Sequence, residues 1–211
     1  MHTAPALSVG AVSRSLRVLG IDPGLTRCGI GVVDVAPDRT ATLVHVGVAR
    51  SAPTDPIEKR LAAIAAGIRS VLATHDPQVV AVERVFAQNN RHSVMGTAQA
   101  SGIALLLAAE HGIPAATHTP SEVKAAITGY GSADKLQVQT MVARVLRLAE
   151  LPQPADAADA LAIALCHAWR GGVASPSSET ALTPAQRAWR DAEKRRGPLP
   201  RVARTHVRSG A

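Results

Sequence analysis

Aromatic side chains are nearly missing from this sequence. One Phe, one Tyr and two Trp among 211 residues leave the core to Ala, Val, Leu and Ile, and make the single Phe86 conspicuous. Cysteine is equally scarce. Cys28 and Cys166 lack close metal-ligand spacing and cannot form a disulfide framework in so long a chain, so both are expected to be reduced core thiols. No apolar run approaches the ~20 residues of a membrane helix. The first residues, Met1 to Leu7, lack the basic start and apolar centre of a signal peptide. The expectation is a soluble, cytoplasmic protein with no membrane partner. The histidines show no HExxH spacing and no Ser, His and Asp set in a suggestive local order, which argues against zinc-protease and triad-hydrolase chemistry. His45, His75, His111 and His167 read as ordinary strand, turn or helix residues.

Acid is outnumbered: 23 Lys and Arg stand against 16 Asp and Glu, a net charge of +7, with a pI near 10.4. Such a balance suggests a polyanionic partner. Much of it lies at the end, because residues 171–211 hold eight Lys or Arg and only three Asp or Glu. A nucleic-acid face on the remainder must be a local cluster of bases. With 46% hydrophobic residues, the chain can support one core of about 150 residues. The expected organisation is a disordered leader over 1–16, one domain over 17–170 and a basic, flexible tail over 171–211.

The densest signal is the stretch Arg17 to Asp34, two apolar strands (Val18 to Ile21 and Gly29 to Val33) around a Pro23-Gly24 turn. Asp22 sits at the bend, which is also an ordinary place for a turn-forming Asp. A third strand is predicted over Ala41 to Ala49. Asp55-Pro56-Ile57-Glu58 combines a cap, a first-position proline and an acid, and predicts a helix with the stripe Ile57, Leu61, Ile64, Ile68 and Val71. Gln78 to Glu83 is a short apolar strand that again ends in an acid. A helix over Ser93 to His111 and a strand over Ile113 to Thr117 follow. Pro120 to Lys124 opens a short helix that Gly129-Tyr130-Gly131 breaks. Ser132 is expected to cap the next helix, with Leu136, Val138, Met141, Val142, Val145 and Leu148 as its apolar stripe; a last helix runs from Ala155 to about Trp169.

Four acids share one character: Asp22 and Glu83 end strands, while Asp156 and Asp159 lie in the first turns of a helix. Three apart, the last two project from one face, and the helix N-terminus favours their ionised form. A dipole-complementing acid accounts for Asp156 alone but leaves Asp159 unexplained. Carboxylates brought together repel, and a hard divalent cation with oxygen ligands, Mg²⁺ above all, offsets that repulsion. Two such ions about 3.5–4 Å apart can activate water and stabilise a leaving oxygen at a phosphodiester.

Five motifs in register resemble the RuvC family of Holliday-junction resolvases: Ile21-Asp22-Pro23-Gly24; Val82-Glu83-Arg84-Val85-Phe86; Thr119-Pro120-Ser121-Glu122-Val123-Lys124; Ala133-Asp134-Lys135; and Ala155-Asp156-Ala157-Ala158-Asp159-Ala160-Leu161-Ala162. The first alone also resembles the phosphate loop of actin-like ATPases, but nothing after residue 100 supplies their second loop. The resemblance spans about residues 17–170. It implies an α/β, ribonuclease H-like fold with a mixed five-stranded sheet flanked by helices. It also implies two Mg²⁺ ions, with Mn²⁺ as a substitute, at Asp22, Glu83, Asp156 and Asp159, and basic catalytic residues at Lys124 and Lys135. Phe86 matches the family's base-stacking aromatic. Arg84, Asn89, Asn90, Arg91 and His92 are candidate DNA contacts around it. The implied partners are four-way junction DNA, a second copy of the chain in a C2 homodimer, and the RuvA and RuvB branch-migration machinery. The implied reaction leaves paired nicks with 5′-phosphate and 3′-hydroxyl ends.

Overall fold

Alternation of apolar residues along the first strands decides which helices cover which face of the sheet. The computed structural model describes residues 15–84 and 91–170, with side chains from residue 94 in the second segment. Strands β1 (Leu16–Asp22), β2 (Arg27–Val35) and β3 (Ala41–Arg50) form an antiparallel meander. Helix α1 (Ile57–His75) then crosses to β4 (Val79–Glu83), which pairs parallel with β1. Helix α2 (Arg91–Glu110) leads to β5 (Ala115–His118), parallel to β4. The sheet order is β3-β2-β1-β4-β5, mixed and five-stranded as the resemblance implies. Helices α3 (Pro120–Thr128), α4 (Lys135–Val145) and α5 (Ala155–Arg170) follow.

Leu19, Ile21, Cys28, Ile30 and Val32 point to one face, where Ile64, Ile68 and Leu72 of α1 and Ala104 and Leu107 of α2 bury them. Val18, Val33, Val35 and Ala81 point to the other, under Val123 and Ile127 of α3, Val138 and Val142 of α4, and Leu161 and Leu165 of α5. Both faces are covered, so these strands read as continuous apolar runs. Both thiols are buried and free, as expected.

Several local expectations change. Asp55 does not cap α1: the N-cap position falls on Pro56, without a side-chain cap bond, and Ile57 is 41% exposed instead of opening the buried stripe. Asp134, and not Ser132, caps α4, through a capping box with Gln137. That shift places Leu136 at 62% exposure, outside the core, and Leu148 past the helix end. Thr119 and Glu122 form the capping box of α3. Strand β1 begins at Leu16, one residue inside the expected leader, and β5 lies two residues later than predicted at its start. The rest of the leader and the tail 171–211 lie outside the described residues.

The closest inter-element packing is between α5 and the two strands beneath it. A Cβ on Gly20 would overlap the Ala160 carbonyl and the Ala164 amide, and one on Gly29 would overlap the Asp156 carbonyl. Glycine on the sheet and alanine on the helix let the two backbones meet. Gly20→Ala is therefore expected to destabilise the protein by about 1–3 kcal/mol through overpacking, measured by chemical denaturation; an unchanged midpoint would contradict the close approach.

Candidate active site

Three features of the fold bring the four acids to one edge. Strands β1 and β4 are adjacent and parallel with Ile21 opposite Val82, so Asp22 and Glu83, their last residues, leave the sheet side by side. Asp22 pairs with Gly29 on β2. Because Gly29 has no side chain, the first turn of α5 rests on the sheet there, with the Asp156 backbone against Gly29 beside Asp22. Asp159 follows one turn along the same helix face.

Burial, then repulsion from Glu83, Asp159 and Asp156, pushes the Asp22 carboxyl up to about 7, against an opposing pull from Lys135. Glu83 is raised by burial and by Asp159, with Lys135 and Lys124 pulling it down. Among the described residues no hydrogen-bond donor reaches Asp22. Asp159 is held by Lys135, Nζ to Oδ2 2.7 Å, and this bond, ahead of the opposing burial, raises the lysine. Asp156 Oδ2 is buried without a hydrogen bond. Its neighbour is the Arg27 guanidinium, Nε at 2.8 Å, close enough for an ion pair but out of line for a hydrogen bond.

The acids are near enough to couple, yet among the described residues no three His, Cys, Asp or Glu converge as closely as a ready-formed metal centre requires. Arg27 and Lys135 engage two of the four. The donor set nonetheless fits a hard divalent cation. All four ligands are carboxylates, one has an orphaned buried oxygen, and another is pushed up toward neutrality by its neighbours. A fifth acid, Glu122, is excluded because it accepts from the Thr119 amide at 2.8 Å, which holds it below the usual carboxylate range.

Lys124 and Lys135 both reach the site. They line, with Glu83 and Asp159, a pocket of about 220 Å³ floored by Val123, Val138 and Ile163. Arg84 follows Glu83, and its guanidinium donates to Thr117 Oγ1 at 3.2 Å, tying β4 to β5. Phe86, Asn89 and Asn90 lie outside the described residues, as do the side chains of Arg91 and His92; only the backbone of these last two is described, in the first turn of α2. Sequence reasoning missed Arg27. Its place at the start of β2 gives a signal of proximity to Asp22, but only the fold shows it beside Asp156.

The family model for crossover junction endodeoxyribonuclease RuvC matches residues 18–167. A curated relative with that name from Leifsonia xyli subsp. xyli is 62% identical over 193 residues, covering 85% of this chain and 93% of its own length. The solved structure of Thermus thermophilus RuvC in complex with a Holliday junction substrate is 40% identical, with a TM-score of 0.69, covering 72% of this chain and 93% of that one. The yeast mitochondrial Holliday junction resolvase, at 14% identity, shares the fold with a TM-score of 0.52 over 74% of this chain and 81% of its own. The matched span holds all four acids and both lysines, on a sheet and helix arrangement that is ribonuclease H-like, and on these grounds the chain belongs to the RuvC family of crossover junction endodeoxyribonucleases.

Proposed function

We propose that this chain resolves four-way DNA junctions by metal-dependent hydrolysis, with Asp22, Glu83, Asp156 and Asp159 as the metal ligands. The observation that carries the assignment is Asp22: a carboxyl at the end of a central strand, pushed to about 7 by burial and three other acids. RuvC family nucleases are metal-dependent. Two Mg²⁺ ions, with Mn²⁺ as a substitute, would supply an activated water and stabilise the leaving oxygen.

The chain's own groups do the rest. Lys124 and Lys135 place positive charge in the pocket beside Glu83 and Asp159, where negative charge develops on a phosphate under attack. Lys135 must share itself between Asp159 and the phosphate, so Lys124, which makes no ion pair among the described residues, is the freer of the two. Phe86, Arg84, Asn89, Asn90 and Arg91 are the proposed DNA contacts, supported by their position in sequence directly after Glu83. Paired nicks with 5′-phosphate and 3′-hydroxyl ends are the proposed products. The family resemblance supports work with RuvA and RuvB in the cytoplasm, and a nuclease domain bounded at about 17–170 with a basic extension after it.

A four-way junction is close to two-fold symmetric and needs two cuts, whereas one chain holds one set of acids; a C2 homodimer supplies the second. Helix α2 supports this assembly. Met95 (65% exposed), Leu105 (37%) and Leu106 (54%) share a face with exposed Ala98, Gly102 and Ala109, and no charged residue interrupts it from 94 to 109. Such a face is apolar surface that a second copy would cover.

Leu106→Glu is expected to shift the protein to a monomer in sedimentation and to uncouple the two nicks; a variant that stays dimeric would remove α2 from the interface. Asp22→Asn is expected to lower junction cleavage by 10³-fold or more, and cleavage at wild-type rate would overturn the ligand assignment. The same variant has a second signature. A folded value near 7 against 3.8 unfolded means the ionised Asp22 opposes folding, a penalty that sets in above pH ~4 and is complete above ~7, on the order of 4 kcal/mol at most. Without metal at pH 8, Asp22→Asn should therefore melt higher than the wild type, while losing the rise in melting temperature that Mg²⁺ gives the wild type.

A further inference from the structure

On the far side of the acids from Lys124 and Lys135 lies a second cleft, of about 400 Å³, between the β1–β2 turn and α2. Gly24, Leu25, Thr26, Arg27, Arg60, Gly96, Thr97 and Asp156 line it. Two of these residues are cations and one is an acid, and that acid is one of the proposed metal ligands.

Arg60 is fixed there by a small polar network. Its Nε donates to Ser51 Oγ at 3.1 Å and its Nη2 to Thr26 Oγ1 at 2.7 Å. The Ser51 hydroxyl in turn donates to the Leu25 carbonyl at 2.6 Å, and the Ser51 amide to the Thr26 carbonyl at 3.1 Å. The guanidinium is thereby clamped over the turn that follows Asp22, with Nη1 uncommitted among the described residues. Arg27, with its side chain 49% exposed, meets Asp156 Oδ2 through Nε at 2.8 Å and lines the cleft. A fixed, planar pair of donors in a polar cleft suits a phosphodiester oxygen pair, since guanidinium matches phosphate in charge and geometry. The network engages two of the five N–H donors of Arg60, and the ion pair with Asp156 engages Arg27 at Nε.

We propose that this cleft is a second backbone-phosphate subsite for the DNA strand that crosses the acids, with Arg27 and Arg60 as its cationic ligands. The proposal rests on the nuclease reading above and extends it: the strand runs from the Lys124 and Lys135 pocket, over the four carboxylates, to the two arginines. Phosphates on both sides of the scissile one are then held by charge. A cation held by Asp156 would compete with Arg27 for that carboxylate and leave the guanidinium to the strand.

The test is junction binding by fluorescence anisotropy in EDTA, where no cutting occurs, across a range of salt concentrations. Each lost phosphate contact lowers the slope of log K against log[salt] by about 1. Arg27→Gln and Arg60→Gln are each expected to lower it by that amount and to weaken low-salt binding roughly three- to tenfold. Arg69→Gln, which removes an exposed α1 charge that does not line the cleft, should leave the slope unchanged. A scan of neutral methylphosphonate linkages should find one non-scissile position that weakens the wild type but not Arg27→Gln. If both arginine variants keep the wild-type slope while Lys124→Gln lowers it, the subsite is wrong and the junction reading stands. A wild type that does not prefer a junction to a duplex would sink both. Should Arg60→Gln fail to fold, Arg27→Gln still decides the matter, because among the described residues its ion pair is with Asp156 alone.

Discussion

The site exists because one helix lies almost in contact with the backbone of two strands. Ordinary helix-on-sheet packing interposes side chains. Here Gly20 and Gly29 on the sheet face Ala160, Ala164 and the Asp156 backbone on α5, and the separation shrinks. Without that approach Asp156 and Asp159 would stand back from Asp22 and Glu83, and four acids would be two unrelated pairs. The scarcity of aromatics fits the same arrangement: the buried residues between α5 and the sheet are small or aliphatic, and the one aromatic of α5 packed against them, Trp169, lies at the far end of the helix from Asp156.

Bringing the acids together carries an electrostatic cost that the protein meets in two ways. Asp22 and Glu83, fixed at strand ends, absorb it as raised proton affinity. Asp156 and Asp159 are matched by Arg27 and Lys135 instead. Neither solution is complete, because Asp156 keeps a buried oxygen without a hydrogen bond. The free site is thus balanced by cations borrowed from β2 and from the start of α4, each of which also lines a cleft beside the acids.

Much of this was legible in the sequence. Strand and helix identities follow from apolar period, and the four acids could be singled out because each ends or begins an element. What escaped was either a choice between neighbouring caps or a contact between distant segments. The cap of α4 moved from Ser132 to Asp134, because Asp134 has Gln137 three residues on to close a capping box and Ser132 has no such partner. At α1 the Pro56 carbonyl accepts from the Lys59 and Arg60 amides, which puts the N-cap there without a side-chain cap bond, so local preference alone misplaced the start. Arg60 carried no signature and Arg27 only its nearness to Asp22, since a base beside an apolar strand or in a helix is usually a solvated surface residue. Their role depends on Ser51, Thr26 and Asp156, which are brought to them by β3, the β1–β2 turn and α5.

Strand β1 is hydrogen-bonded on both sides, to β2 and to β4. Backbone in that position belongs to the part of a domain that opens last, near the free energy of global unfolding. Asp22 and Glu83 therefore ride on the slowest-exchanging framework the molecule has, while Lys124, Lys135 and Arg27 are long side chains on its margins. Two of the four carboxylates are thus fixed to backbone that opens last, whereas the cations that balance the other two reach them on long, rotatable side chains.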